Sequence, residues 1–159
     1  MELLRFVALL GLINLAPILA QRYIPRLFSA PVDAGWIAPD GAPLFGPSKT
    51  WRGIACALAA GWLAAPALDF SPTIGLTAAL FSMLGDLVSS AIKRRMGVAP
   101  SGRALGLDQI PEALLPALAV SAPLAFGVGD IALIVGIFVV AELLVSRILY
   151  RWHIRRQPY

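Results

Sequence analysis

The 159-residue chain is poor in the residue types that most catalytic and metal centres need. It has one cysteine, Cys56, and one histidine, His153. A single cysteine inside an apolar run excludes an intrachain disulfide and argues against a thiolate metal site. A single histidine, in a basic tail, excludes histidine metal clusters and Ser-His-Asp catalysis. Charge is scarce as well: 14% of residues are charged, whereas 58% are hydrophobic. Soluble domains are about a quarter charged and half apolar, so lipid is the solvent this composition suits. No internal repeat or low-complexity tract divides the chain, and its length is that of one domain, 1–159. The net charge of +4 does not point to nucleic acid. Its basic residues flank apolar segments, where such residues orient membrane proteins.

Five apolar stretches are present, at roughly 3–20, 54–68, 72–92, 113–128 and 131–149. Some are shorter than the ~20 residues that cross a bilayer core, but flanking Trp51, Tyr150 and Trp152 extend them to the interface. The first stretch lacks the basic start and the small-residue cleavage site of a secretory signal. The connections alternate in charge. Twelve of the thirteen basic residues lie in the 21–53 loop, around 93–103 or in the C-terminal tail, and only Arg5 lies opposite. The positive-inside rule makes these segments cytoplasmic and the N-terminus external. The predicted fold is an all-α membrane protein of about five transmembrane helices, with a long cytoplasmic loop between helices 1 and 2. The predicted location is the cell (inner) membrane, multi-pass. That loop is longer than a bundle connection needs. Its prolines, glycines and apolar residues (Trp36, Ile37, Leu44, Phe45) predict a lid or re-entrant segment, and Asp33 and Asp40 read as solvated.

Three polar clusters face the basic side. In Gly85-Asp86-Leu87-Val88-Ser89-Ser90-Ala91-Ile92-Lys93-Arg94-Arg95, helical spacing puts Asp86, Ser90, Lys93 and Arg94 on one face. An acid within a span is costly and ordinarily faces a cavity or a partner. A packing salt bridge is the plainer account. In Gly46-Pro47-Ser48-Lys49-Thr50-Trp51-Arg52-Gly53, small, hydroxyl and basic residues precede a helix whose free N–H groups suit phosphate oxygens. The GxxxxGK[ST] spacing is absent, and Lys49 and Arg52 read equally well as orientation charges. In Leu107-Asp108-Gln109-Ile110-Pro111-Glu112, Asp108 alone reads as a helix N-cap. Glu142 either pairs with an arginine or lines the site, and Asn14 bonds another helix. Together, acids for a divalent cation and basic groups for phosphates suit phosphoryl chemistry on a lipid. The small-residue run 55–61 suits helix–helix contact, and a homodimer is one partner it allows.

The order and spacing of Lys49-Thr50-Trp51-Arg52-Gly53, Gly85-Asp86 through Arg95, and Leu107-Asp108-Gln109 resemble the CDP-archaeol synthase family. These membrane cytidylyltransferases are related to CDP-diacylglycerol synthases. The resemblance runs from about 45 to 115, and more loosely over five spans. It implies transfer of CMP from CTP to a membrane lipid phosphate, with Mg2+ and release of pyrophosphate at a cytoplasm-facing site. It implies metal binding by Asp86 and Asp108, and phosphate contacts and catalysis by Lys93 and Arg94 with those acids. Ser48, Lys49, Thr50, Arg52, Ser89 and Ser90 would hold substrate. The family typically has an acid three residues after the Asp108 position, where this chain has Pro111. Either Glu112, one step on, replaces it, or Asp86 and Asp108 serve alone. The departure keeps a second reading open, a non-catalytic descendant binding lipid or a partner. A third reading is a small ion-transport subunit using Asp86 and Glu142. For the reaction itself, a lipid phosphate with a second pKa near ~6 is already largely dianionic at pH 7 and needs no general base. It needs charge neutralisation and in-line positioning.

Overall fold

The computed structural model describes residues 1–99, 102, 104 and 106–152. Arg103, His153, Arg155 and Arg156 of the basic clusters lie outside the described residues. Among the described residues five α-helices follow one another: α1 (Glu2–Tyr23), α2 (Trp51–Ala64), α3 (Pro72–Arg95), α4 (Gln109–Ala119) and α5 (Val128–Arg151). A single 3₁₀ turn, Pro66–Leu68, follows α2. Among the described residues there are only two isolated β-bridges, both in the 24–50 loop.

The helix ends follow local chemistry. Thr50 caps α2, accepting from the Gly53 N–H at 3.3 Å. Ser71 caps α3 through Ile74 N–H, and Pro72 follows at the first helical position. There its missing donor costs nothing. Asp130, in the first turn of α5, accepts from the Gly127 N–H at 2.9 Å.

Two boundaries differ from the hydropathy reading. The fourth apolar stretch was expected at 113–128, but α4 begins at Gln109 and ends at Ala119. Pro111 falls within the first turn, where backbone N–H groups have no helical acceptor, so it does not delay the start. Residues 120–126 then form turns, with Ala125 at φ 50 and Phe126 N–H bonded to Ser121 O. Hydropathy continues through this segment, but Pro123 ends the helix-forming pattern. The second stretch, expected at 54–68, starts at Trp51 and stops as an α-helix at Ala64.

Among the described residues three helices are long and apolar enough to cross a membrane: Glu2–Tyr23, Pro72–Arg95 and Val128–Ile148. α2, with 14 residues, is about 21 Å long, and α4, with 11, about 16 Å.

Contacts along the helices set their directions. Lys49, before α2, reaches Asp86 late in α3, and Gly61 in α2 meets Gly75 early in α3. The two helices are therefore antiparallel. A Cβ on Gly75 would overlap the Gly61 carbonyl and come within 2.6 Å of Ala65 Cβ. Only glycine allows the two backbones this close. The small-residue run 55–61 thus spends Ala57 and Gly61 on contacts within the chain, while Ala55 and Ala59 stay exposed. α3 and α4 are antiparallel too, since Gly85 meets Pro111 and Lys93 meets Asp108.

At one end of the bundle Phe6 packs edge-on against Phe70 and Phe126, and Arg5 pairs with Asp69 at 2.9 Å. The 24–50 loop, Asp86, Lys93 and Glu112 gather at the other end. The apolar core between them is built on Leu9, Leu10, Ile13, Ala78, Ile134 and Phe138.

Asn14 donates to Ser82 Oγ in α3 at 3.0 Å, so it does bond another helix. Such bonds are worth about 1 kcal/mol within membranes. Asn14→Leu should therefore lower the thermal midpoint in detergent by only a few degrees, and a collapse of folding would show a larger role.

Candidate active site

The long loop has internal order that its proline-rich sequence does not suggest. Residues 30–33 lie beside 46–51: Val32 N–H bonds Lys49 O, Trp51 N–H bonds Ala30 O, and Pro31 bridges Thr50. A small hairpin, bridged at Ile37 and Pro43, projects beyond this base. Arg95, ending α3, pairs with Asp40 at its tip and donates to the Pro43 carbonyl, both near 2.8 Å. The loop therefore folds back over the end of α3.

This geometry carries Lys49 into the bundle. Its Nζ donates to both carboxylate oxygens of Asp86, at 2.5 and 2.6 Å. Burial pushes the Lys49 amine down, but the carboxylates of Asp86, Glu112 and Asp108 outweigh it and hold its pKa above the ordinary lysine value. Lys49 is accordingly a cation at any physiological pH. Glu112, on α4, is in hydrogen-bonding contact with Asp86, and Glu142, on α5, is near enough for its charge to act on Glu112.

A second pair stands beside the first. Lys93 Nζ binds Asp108 Oδ1 at 2.5 Å and also donates to the Gly102 carbonyl. The neighbouring Arg94 is buried. Its Nη2 donates to the Ala99 carbonyl, whereas Nε and Nη1 have no acceptor among the described residues. Asp108 stands at the N-cap position of α4 but does not cap it. Its second oxygen accepts from the Ala104 N–H instead, because the helical φ/ψ of Asp108 turns the carboxylate away from the helix amides.

Several expected substrate contacts are engaged elsewhere. Arg52 Nη1 donates to the carbonyls of Ile24, Pro25 and Leu27, so this buried guanidinium secures the start of the loop. The Thr50 hydroxyl caps α2, and Ser89 Oγ donates to Gly85 O one turn back in α3. Ser90 is buried, and Ser48 is exposed at the loop edge.

Asp33 corrects its expected solvation: only 9% of it is exposed. One oxygen accepts from the Gly35 N–H and the other from those of Phe45 and Gly46, all within 3.0 Å. Burial raises its pKa, yet these amides outweigh that and hold it below the ordinary aspartate value. The Asp-Ala-Gly pattern was the available signal, since Asp two residues before Gly commonly forms an Asx-turn. The longer bonds to Phe45 and Gly46 had no local signal.

Among the described residues no three His, Cys, Asp or Glu side chains already form a metal-holding group. The donor chemistry nonetheless fits a hard divalent ion. Asp86 and Glu112 are in mutual contact, with the Lys49 ammonium on Asp86, so the carboxyl oxygens are gathered where a cation is favoured. Magnesium is commonly held by one or two carboxylates, with water and substrate phosphates completing its shell.

The family model for CarS-like CDP-archaeol synthase matches residues 27–159. CDP-archaeol synthase of Pyrococcus furiosus is 38% identical over 89 residues, covering 50% of this chain and 53% of that protein. The enzyme of that name from Hyperthermus butylicus is 34% identical over 109 residues, covering 63% and 65%. The chain spans about half the length of the first of these curated relatives. A solved structure described as an intramembrane enzyme for archaeal membrane lipid biosynthesis superposes with a TM-score of 0.61 at 30% identity. The match covers 86% of this chain and 92% of that one. On the family match across most of its length, and a fold shared with an intramembrane enzyme, this chain belongs to the CarS-like CDP-archaeol synthase family.

Proposed function

We propose that the protein is a CTP-dependent cytidylyltransferase that converts a membrane lipid phosphate into its CDP-activated form with release of pyrophosphate. The observation that carries this reading is the meeting of Lys49 with Asp86 and Glu112, beside the Lys93–Asp108 pair. Acids and bases from a loop and two helices converge at the one end of an apolar bundle where most of the basic residues lie. In the proposed reaction a lipid phosphate oxygen forms a bond to the α-phosphorus of CTP as the α–β bridging P–O bond breaks. The electron pair leaves with pyrophosphate, and no proton has to be removed from a dianionic acceptor.

The chain's own residues would bind and neutralise. Lys49 and Lys93 each stand against a carboxylate, and Arg94 has guanidinium N–H groups without acceptors among the described residues. Ser48 and Ser90 stand as further substrate contacts. Arg52, Thr50 and Ser89 act through the loop and helix ends they hold together. Asp86 and Glu112, with Asp108 beside them, would hold Mg2+, which when bound supplies electrostatic stabilisation of the phosphates. Glu112 serves in place of the acid absent at Pro111, because its position brings it to Asp86.

The same reading gives five membrane-embedded helices in the cell membrane, an external N-terminus and a cytoplasmic site. The two short helices are completed by their flanking turns and interfacial residues. A homodimer through the exposed Ala55 and Ala59 edge belongs to this reading also. Purified protein in detergent, given labelled CTP and magnesium, is expected to transfer label to unsaturated archaetidic acid or to phosphatidic acid. Chelation should abolish transfer. CTP binding without transfer to either acceptor would instead favour the non-catalytic descendant, for which Pro111 is the motivating departure.

A further inference from the structure

The 24–50 loop presents Lys49, yet nothing in its own composition keeps it in place. It has no helix or extended strand, and Leu27, Phe28, Trp36 and Ile37 are all more than half exposed. Its position therefore depends on polar ties. Arg52 secures its beginning, Arg95 holds the hairpin tip through Asp40, and Asp33 holds its middle. Asp33 differs from the other two because it accepts, from backbone amides, and joins both sides of the hairpin that leads to Lys49. Its three amide donors come from both sides of the hairpin: Gly35 before it, and Phe45 and Gly46 after it.

The turn that follows leads directly to the proposed site. Gly46 has φ +94, a conformation that side chains disfavour, and its carbonyl accepts from the Lys49 N–H. Lys49 is thus three residues from the amide that Asp33 holds, and its backbone is paired with Val32, the neighbour of Asp33. A chain of direct contacts runs from the Asp33 carboxylate through the Gly46–Lys49 turn to the ammonium on Asp86. We propose that Asp33 is a positioning residue of the active site, fixing the 46–49 turn so that Ser48 and Lys49 meet the nucleotide phosphates.

The inference rests on the cytidylyltransferase reading, but its central geometric claim can be tested apart from it. Removing Asp33 leaves three amides, those of Gly35, Phe45 and Gly46, without a charged acceptor and frees the turn. A displacement of about 1 Å in a substrate-holding group lowers turnover efficiency by up to about 10²-fold. Because the displaced group holds substrate, the loss should appear in the KM for CTP. A role confined to folding would lower the amount of active protein and leave both KM values unchanged.

The experiment compares wild type, Asp33→Asn and Asp33→Ala in detergent. It measures steady-state kinetics in CTP and in lipid phosphate, thermal midpoints, and amide hydrogen exchange of peptides containing residues 44–50. The expected result is a rise in KM for CTP of about tenfold in Asp33→Asn, and more in Asp33→Ala. The KM for lipid and kcat should stay within about threefold, and the 44–50 amides should exchange faster. An active wild type with an unchanged KM for CTP in both variants would overturn the proposal. So would a fall in Vmax alone, or unchanged exchange. A wild type that neither turns over nor binds CTP would instead overturn the functional reading, and the positioning role with it. The first failure shows in the variants and the second in the wild type. If Asp33→Ala does not fold, Asp33→Asn, which keeps the shape and one acceptor oxygen, still decides the matter.

Discussion

Asp86→Asn should lower CMP transfer by about 10³-fold while leaving the protein folded in the membrane. The substitution preserves shape and removes a single negative charge, and three consequences follow from its surroundings. Lys49 loses the carboxylate that receives it at 2.5 and 2.6 Å. The contact with Glu112 loses one of its two carboxyls, so a divalent ion would lose half of that donor pair. Folding is less affected, because Lys49 remains in the field of Glu112 and Asp108 and the loop keeps its Asp33 and Arg95 ties. The measurement is label transfer from CTP across a magnesium titration, with the detergent melting curve alongside. Activity within tenfold of wild type at every magnesium concentration would remove Asp86 from the metal site. A shift of the curve to higher magnesium, with partial recovery, would be the signature of a weakened ligand.

The second large effect is predicted at a residue without chemistry. Gly85 sits where α3 passes α4, and a Cβ there would overlap the Pro111 carbonyl and come within 2.8 Å of the Glu112 backbone nitrogen. Both obstacles are backbone, so no side-chain rotation relieves them, and Gly85→Ala must push the helices apart. Overpacking of this kind destabilises by about 1–3 kcal/mol. The same displacement separates Asp86, next to Gly85, from Glu112, next to Pro111. Activity should therefore fall by about 10²-fold, more than the loss of stability accounts for. Transfer rates measured well below the melting temperature separate the two effects. Near-normal activity with a lowered midpoint would show that the α3–α4 spacing matters for folding alone.

Gly85 also shows how Pro111 and Glu112 fit together. Pro111 offers a carbonyl against which only glycine packs, and the next residue carries the acid toward Asp86. The acid one position beyond its usual place is therefore within reach of the site.

Much of this protein was determined by sequence alone, because strong and local signals were involved. Apolar runs with basic flanks identified the helices and the polar end of the bundle, since hydrophobicity and charge are properties of a segment whatever it packs against. Thr50 and Ser71 cap helices in the structure, and Pro72 follows one of these caps, each for a local reason. The three polar motifs and their order identified the family. Hydropathy misplaced the limits of α4, because it is blind to proline and to a turn made of apolar residues.

Tertiary structure decided which polar groups meet. Equal-looking basic residues diverged: Lys49 reached Asp86, while Arg52, three residues on, turned back to the loop carbonyls. A helix starting at Trp51 separates their directions, and no spacing rule specifies which side the preceding loop takes. Asp33 and Asp40 looked alike as loop acids, yet one is buried on amides brought from twelve and thirteen residues away and the other pairs at the surface with Arg95. Such contacts form only when distant segments have been packed together, so their energies leave no trace in the local sequence.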